Sequence, residues 1–235
     1  MKFEILSSAA RVARAAASAF ARIVEVQPSV VVALPTGRTP IAMYEILAAR
    51  RQAGAFDLGQ ATAFNLDEVL LPKALPQTFF QFMTRYTWEP LGVPPERRFI
   101  PRGDAEDPEA ECLRYEEAIE EAGGLDLAIL GIGADGHIAY NLPGQVRPRT
   151  HVVTLDPKTI ASLGGSLHGP VRAITMGVET IRSARTILLL ATGSSKAEAL
   201  RRLRDDQESE VWPCTFLRGH PDLTVIADGL AASQL

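Results

Sequence analysis

Three side chains capable of proton chemistry stand in unusual settings. In GIGADGHIAYNLPG, residues 131–144, Asp135 and His137 lie two residues apart among glycines. Gly131, Gly133 and Gly136 let the backbone turn sharply and let a ligand come close, so the carboxylate and imidazole read as an acid/base couple. The third is Asp67 in FNLDEVL, beside Glu68 at the end of an apolar run. Alternation along a strand sends these two acids to opposite faces, so at most one addresses a ligand, and Asp67 is the better candidate. A partly desolvated carboxylate at a cleft rim suits proton abstraction next to a carbonyl.

A fourth stretch, LPTGRTP over residues 34–40, leaves an apolar run, turns at Gly37 and enters a helical pattern, with Thr39 suited to the N-cap and Pro40 to the first turn. Free backbone N–H groups and the helix dipole there make an anion site to which the Thr36 and Thr39 hydroxyls add, and phosphate is the natural guest. Standing alone, the loop would be an ordinary capped turn. It lacks the GxxxxGK[ST] and GxGxxG spacings of nucleotide sites. Of the four histidines, His151, His168 and His220 have no setting comparable to that of His137. No HxxxH, HExxH or paired cysteine is present, so no metal site is expected.

The elements that must position these groups alternate. Residues 29–35, 61–67, 125–133, 172–177, 186–193 and 223–228 are short, β-branched and almost continuously apolar, as strands covered on both faces are. Between them, 39–54, 107–124 and 194–205 carry helical periodicity with capping residues at their starts. The prediction is a single-domain α/β fold over residues 1–235, Rossmann-like, with a mostly parallel β-sheet flanked by helices on both faces. Ligands in such folds collect outside the carboxyl ends of the strands, where all the segments above fall. The proline-rich 70–77 reads as a loop.

Composition narrows the partner. The chain has 235 residues, 46% hydrophobic, with net charge −4 and dispersed basic residues, which disfavours a nucleic-acid surface. Arg11, Arg14 and Arg22 interrupt the apolar 5–26 segment, which therefore reads as an amphipathic helix and not as a membrane span or signal sequence. Two distant cysteines, Cys112 and Cys214, read as reduced, buried filler in a cytoplasmic protein. The expected partner is a small molecule, with no nucleic acid and no membrane, and the assembly a monomer or small homo-oligomer.

LPTGRTP, FNLDEVL and GIGADGHIAYNLPG, in this order, resemble the signature segments of the glucosamine-6-phosphate deaminase (isomerase) family, whose wider superfamily includes 6-phosphogluconolactonases. ATGSSKAEAL, with Lys196, is similar to the family's phosphate-binding lysine segment, and the resemblance runs over residues 30–228. It implies a sugar phosphate held by Thr36, Gly37, Arg38, Thr39 and Lys196, ring opening by His137 with Asp135, and proton transfer between C2 and C1 by Asp67. The products would be fructose 6-phosphate and ammonia, with no cofactor.

Some residues depart from the pattern. YNLPG stands where deaminases carry FNEPG, so Leu142 replaces a glutamate that helps orient and charge the histidine. Lactonases typically have an apolar residue there, which keeps a lactonase open as the alternative, with a sugar-phosphate sensor that has lost its chemistry as a third reading. SLGGSLHGPVRAITMG lacks the family's second phosphate-binding arginine, a role left to Arg172 or Arg38. RTHVVTL, residues 149–155, lacks the basic residues of the activator site found in some relatives, so activation by N-acetylglucosamine 6-phosphate is not expected.

Overall fold

The structure, a computed structural model, describes residues 1–164 and 169–235, which leaves His168 outside the described residues. In chain order the elements are β1 (Lys2–Leu6), α1 (Ala9–Val26), β2 (Val31–Leu34), α2 (Arg38–Gln52), β3 (Thr62–Asn65), β4 (Asp67–Val69), α3 (Phe79–Met83) and α4 (Glu89–Leu91). They continue with β5 (Arg98–Phe99), α5 (Pro108–Glu121), β6 (Leu127–Gly131), β7 (His151–Thr154), α6 (Pro157–Ser162), β8 (Arg172–Thr175), α7 (Val178–Arg182), β9 (Thr186–Ala191), α8 (Ala197–Asp205) and β10 (Leu223–Asp228).

Seven strands form one sheet in the order β1-β10-β9-β6-β2-β3-β5, and every neighbouring pair is parallel. Its central strands are buried on both faces, and their alternating side chains divide the core in two. Ala33, Leu130 and Leu189 point to a cluster shared with Tyr115 and Ile119 of α5 and Leu200 of α8. Leu34, Ile129 and Leu190 point the other way, onto Phe20 of α1 and Met43 and Leu47 of α2. Helices therefore cover both faces, as the sequence pattern predicts.

Two features differ from the sequence reading. The 5–26 segment begins in a strand: β1 pairs with β10 at the sheet edge before α1 starts. Moreover, β8 is not part of the parallel sheet. It lies between β4 and β7 in a separate three-stranded antiparallel sheet that covers a third apolar cluster of Val69, Phe79, Tyr140, Leu142, Val153 and Ala173. Apolar periodicity identifies a buried strand but carries no information on which sheet it joins.

From β2 the chain steps outward to β3 and later returns to β6 on the other side. The β2/β6 boundary is thus the topological switch point, where the loops leaving adjacent carboxyl ends diverge and leave a crevice.

Candidate active site

That crevice holds a cavity of about 400 Å³. Its walls come from the carboxyl ends of β2, β3 and β6 and the segments that follow them: Thr36, Gly37, Arg38 and Thr39 in the turn after β2 and the start of α2, Asp67 at the start of β4, and Gly131 and His137 at and beyond the end of β6. Residues far apart in sequence meet because β3, β2 and β6 are neighbours running in one direction.

The first loop ends at Gly37, whose φ of 102° and ψ of 178° favour glycine and make it the N-cap of α2. The cap therefore stands two residues before the predicted Thr39, and no side chain caps the first N–H groups of the helix. They remain available to an anion, with the dipole of a 15-residue helix behind them. The buried Tyr44 hydroxyl donates to the Pro35 carbonyl at 2.7 Å and anchors the loop to that helix.

In the second segment, alternation acts as the sequence suggests. Asp67 faces the cavity, while Glu68 turns away and accepts from the backbone N–H groups of Val69, Phe79 and Phe80 at 2.7–2.8 Å. Asp67 is 5% exposed, and its Oδ1 has no hydrogen-bond partner among the described residues. Burial, reinforced by the neighbouring Glu68 charge, pushes its pKa up to about 8. Burial likewise pushes Glu68 up to about 7, against the lowering effect of its three N–H donors. Asp67 is therefore the carboxylate with open coordination and raised basicity, which suits a general base.

In the third loop, His137 Nδ1 lies 2.7 Å from Asp135 Oδ1. Burial would raise the Asp135 pKa, but the hydrogen bond and charge of His137 outweigh it and hold Asp135 down at about 2. Asp135 thus stays ionised beside the ring at ion-pair distance from Nδ1, which leaves Nε2 as the working nitrogen. The glycines have distinct tasks. A Cβ on Gly133 would collide with both members of the pair, and Gly136, at φ 81°, packs against Trp212 and Cys214. Ala139 adopts φ 50°, a strained conformation for a non-glycine residue, at the cavity wall.

Lys196 does not line the cavity. It sits in the turn after β9, next to β6, close enough for Asp135 and Arg38 to act on its charge, while burial lowers its pKa. Arg172 is not brought to the site. Its strand runs antiparallel to β4 with Thr175 opposite Asp67, so Arg172 is three residues away, about 10 Å along the strand, and exposed. Leu142 is 4% exposed in the third apolar cluster and does not line the cavity. Cys112 and Cys214 are buried free thiols, and burial pushes each up to about 12. Gln77, Thr78, Phe79 and Tyr140 also line the wall, and the sequence assigns none of them a role. Gln77 ends the proline-rich 70–77 loop and Thr78 follows it, neither in a motif, and the aromatics read as core. Among the described residues no group of three or more His, Cys, Asp or Glu side chains gathers as a metal site, and no helix is long and apolar enough to cross a membrane.

Residues 6–225 match the family described as glucosamine-6-phosphate isomerases/6-phosphogluconolactonase. The chain belongs to this family. Among its relatives, glucosamine-6-phosphate deaminase of Thermoanaerobacter pseudethanolicus is 40% identical over 100% of this chain and 95% of its own. That of Alkaliphilus oremlandii is 42% identical over 88% of this chain and 89% of its own. A solved structure of a monomeric glucosamine-6-phosphate deaminase superposes with a TM-score of 0.94 at 38% identity, covering 100% of both chains. The 6-phosphogluconolactonase from Trypanosoma cruzi shares the fold, with a TM-score of 0.82 at 21% identity over 100% of this chain and 96% of its own.

Proposed function

We propose that this protein is a glucosamine-6-phosphate deaminase. The observation that carries the reading is the convergence of three parts on one cavity: uncapped helix N–H groups, the Asp135–His137 pair and the buried, unpartnered Asp67. The roughly 40% identity to named deaminases over the full chain supports it over the lactonases, for which the likeness is one of fold.

The chemistry follows from the placement. The substrate phosphate docks on the start of α2, where Thr36 and Thr39 hydroxyls and the Arg38 and Lys196 charges add to the helix field. His137 moves a proton between O1 and O5 and opens the ring. Asp67 then takes the proton from C2 and returns it to C1, which turns the amino aldehyde into a C2 imine with a C1 alcohol. Water adds to the imine carbon and ammonia leaves, giving fructose 6-phosphate. Asp67 is well matched to the carbon acid, since a carboxylate with a pKa of about 8 is a stronger base than an ordinary one. The substrate's ammonium beside it favours its charged form. The protein acts as a monomer, as the similar solved deaminase does, and its small charged substrate fits a cytoplasmic location.

The test is a parallel assay of the purified protein on glucosamine 6-phosphate, galactosamine 6-phosphate and 6-phosphogluconolactone. Ammonia release from the first supports the reading. Lactone consumption without ammonia release would make it a lactonase, and sugar-phosphate binding with no turnover would make it a sensor.

A further inference from the structure

One polar group in the cavity has no task in the mechanism above. Tyr140 lines the wall with Asp67 and His137 and is 8% exposed. Its backbone N–H donates to Thr175 Oγ1 at 3.0 Å, and its ring packs on Phe79 with centroids 5.8 Å apart. Val69 and Leu142 join it in the same apolar cluster. These contacts use the main chain and the ring, so a phenylalanine would make them equally well.

The hydroxyl is left over. It has no hydrogen-bond partner among the described residues. Burial raises its pKa, and the carboxylates of Asp67, Glu68 and Asp156 act in the same direction, so the phenol remains a neutral O–H donor. Asp67 Oδ1 is equally without a partner. Of the two, only Asp67 Oδ1 is sealed from solvent as well as unpartnered, and a hydroxyl at a cavity wall without a protein partner bonds to water or to a ligand. In a substrate cavity that partner is the ligand.

We propose that Tyr140 is a substrate-contacting, specificity-determining residue whose phenol O–H donates to a sugar hydroxyl near the carbon on which Asp67 acts. The inference rests on the deaminase reading for the identity of that carbon. It implies that the site prefers polyhydroxylated phosphosugars to ligands that merely carry a phosphate. Inorganic phosphate, which needs only the α2 loop, should not register the phenol.

Tyr140→Phe removes one oxygen and keeps the ring. The expected result is a kcat/KM on glucosamine 6-phosphate lower by roughly threefold to tenfold, the range for loss of one neutral hydrogen bond. Calorimetric affinity for fructose 6-phosphate should fall by a similar factor, while competition by inorganic phosphate and the melting temperature stay unchanged. Values of kcat/KM and fructose 6-phosphate affinity within twofold of the parent would overturn the proposal. So would an equal loss of inorganic phosphate affinity, which would place the effect on the loop. If the parent protein releases no ammonia, the deaminase reading fails separately, and the fructose 6-phosphate affinities still decide whether Tyr140 touches the sugar.

Discussion

Replacing Gly133 with alanine would place a methyl group against both members of the proton-transfer pair. A Cβ built there lies well inside 3.0 Å of His137 Nδ1 and Asp135 Oδ1, whereas ordinary contacts begin at 3.4 Å. Gly133 does not have a positive φ, so alanine is compatible with the backbone and the conflict is confined to the two side chains. They are half-exposed and can retreat toward the cavity, by about 1 Å. A displacement of that size in a catalytic group costs on the order of 100-fold in rate. Gly133→Ala should therefore lower kcat on glucosamine 6-phosphate about 100-fold and leave a folded protein. Steady-state kinetics and circular dichroism melts would measure the two effects. A folded variant with kcat within threefold of the parent would refute the claim that the glycine exists to seat the pair.

Further outcomes follow from the same structure. Because Asp67 must be ionised to act and its pKa is about 8, kcat/KM should rise as pH rises through about 8, and Glu68→Gln, by removing a like charge, should move that limb to lower pH. The raised folded-state pKa also means that ionisation of Asp67 erodes stability between about pH 4 and 8. Asp67→Asn should consequently melt higher than the parent above pH 8 and show no advantage below pH 4, as a pH series of thermal melts would reveal. Leu142→Glu should lose on the order of 4 kcal/mol at pH 7 in denaturant titration, since it buries a carboxylate among apolar side chains, and should gain no turnover. Lys196→Ala should raise KM for phosphorylated sugars roughly tenfold, the scale of a charge-assisted contact, in the standard ammonia assay. Substrate curves should be hyperbolic with or without N-acetylglucosamine 6-phosphate. Val153 is buried, burial keeps His151 below its ordinary pKa, and Arg149 is committed to Glu116 and Glu120.

Central strands such as β2 and β6 are legible in the sequence because burial on both faces demands unbroken apolar runs. β1 is not, since an edge strand with exposed Lys2 and Glu4 lacks that run and merges into the alanine-rich helix that follows. β5 is two residues long and leaves no periodic signal. Strand alternation separates Asp67 from Glu68 without knowledge of the fold. It says nothing about sheet membership, and so Arg172, placed by sequence near the phosphate, is carried away on the antiparallel sheet. Leu142 reads as a neighbour of His137 by proximity in sequence, yet it lies buried in the third apolar cluster, off the cavity. Tyr140 stands in YNLPG where the resembled motif FNEPG has phenylalanine, yet a ring beside apolar neighbours looks like core. Its place in the cavity wall with Asp67 and His137 is what distinguishes it.

The central claim is that Asp67 carries the proton between C2 and C1, and isotope exchange tests it most directly. Fructose 6-phosphate and ammonium incubated with the protein in deuterated water should yield glucosamine 6-phosphate carrying deuterium at C2 from the turnovers in which the proton held on Asp67 exchanges with solvent, detected by NMR. Asp67→Asn should bind fructose 6-phosphate with nearly parental affinity and introduce no label. Labelling by that variant at a rate near the parent's would contradict the account.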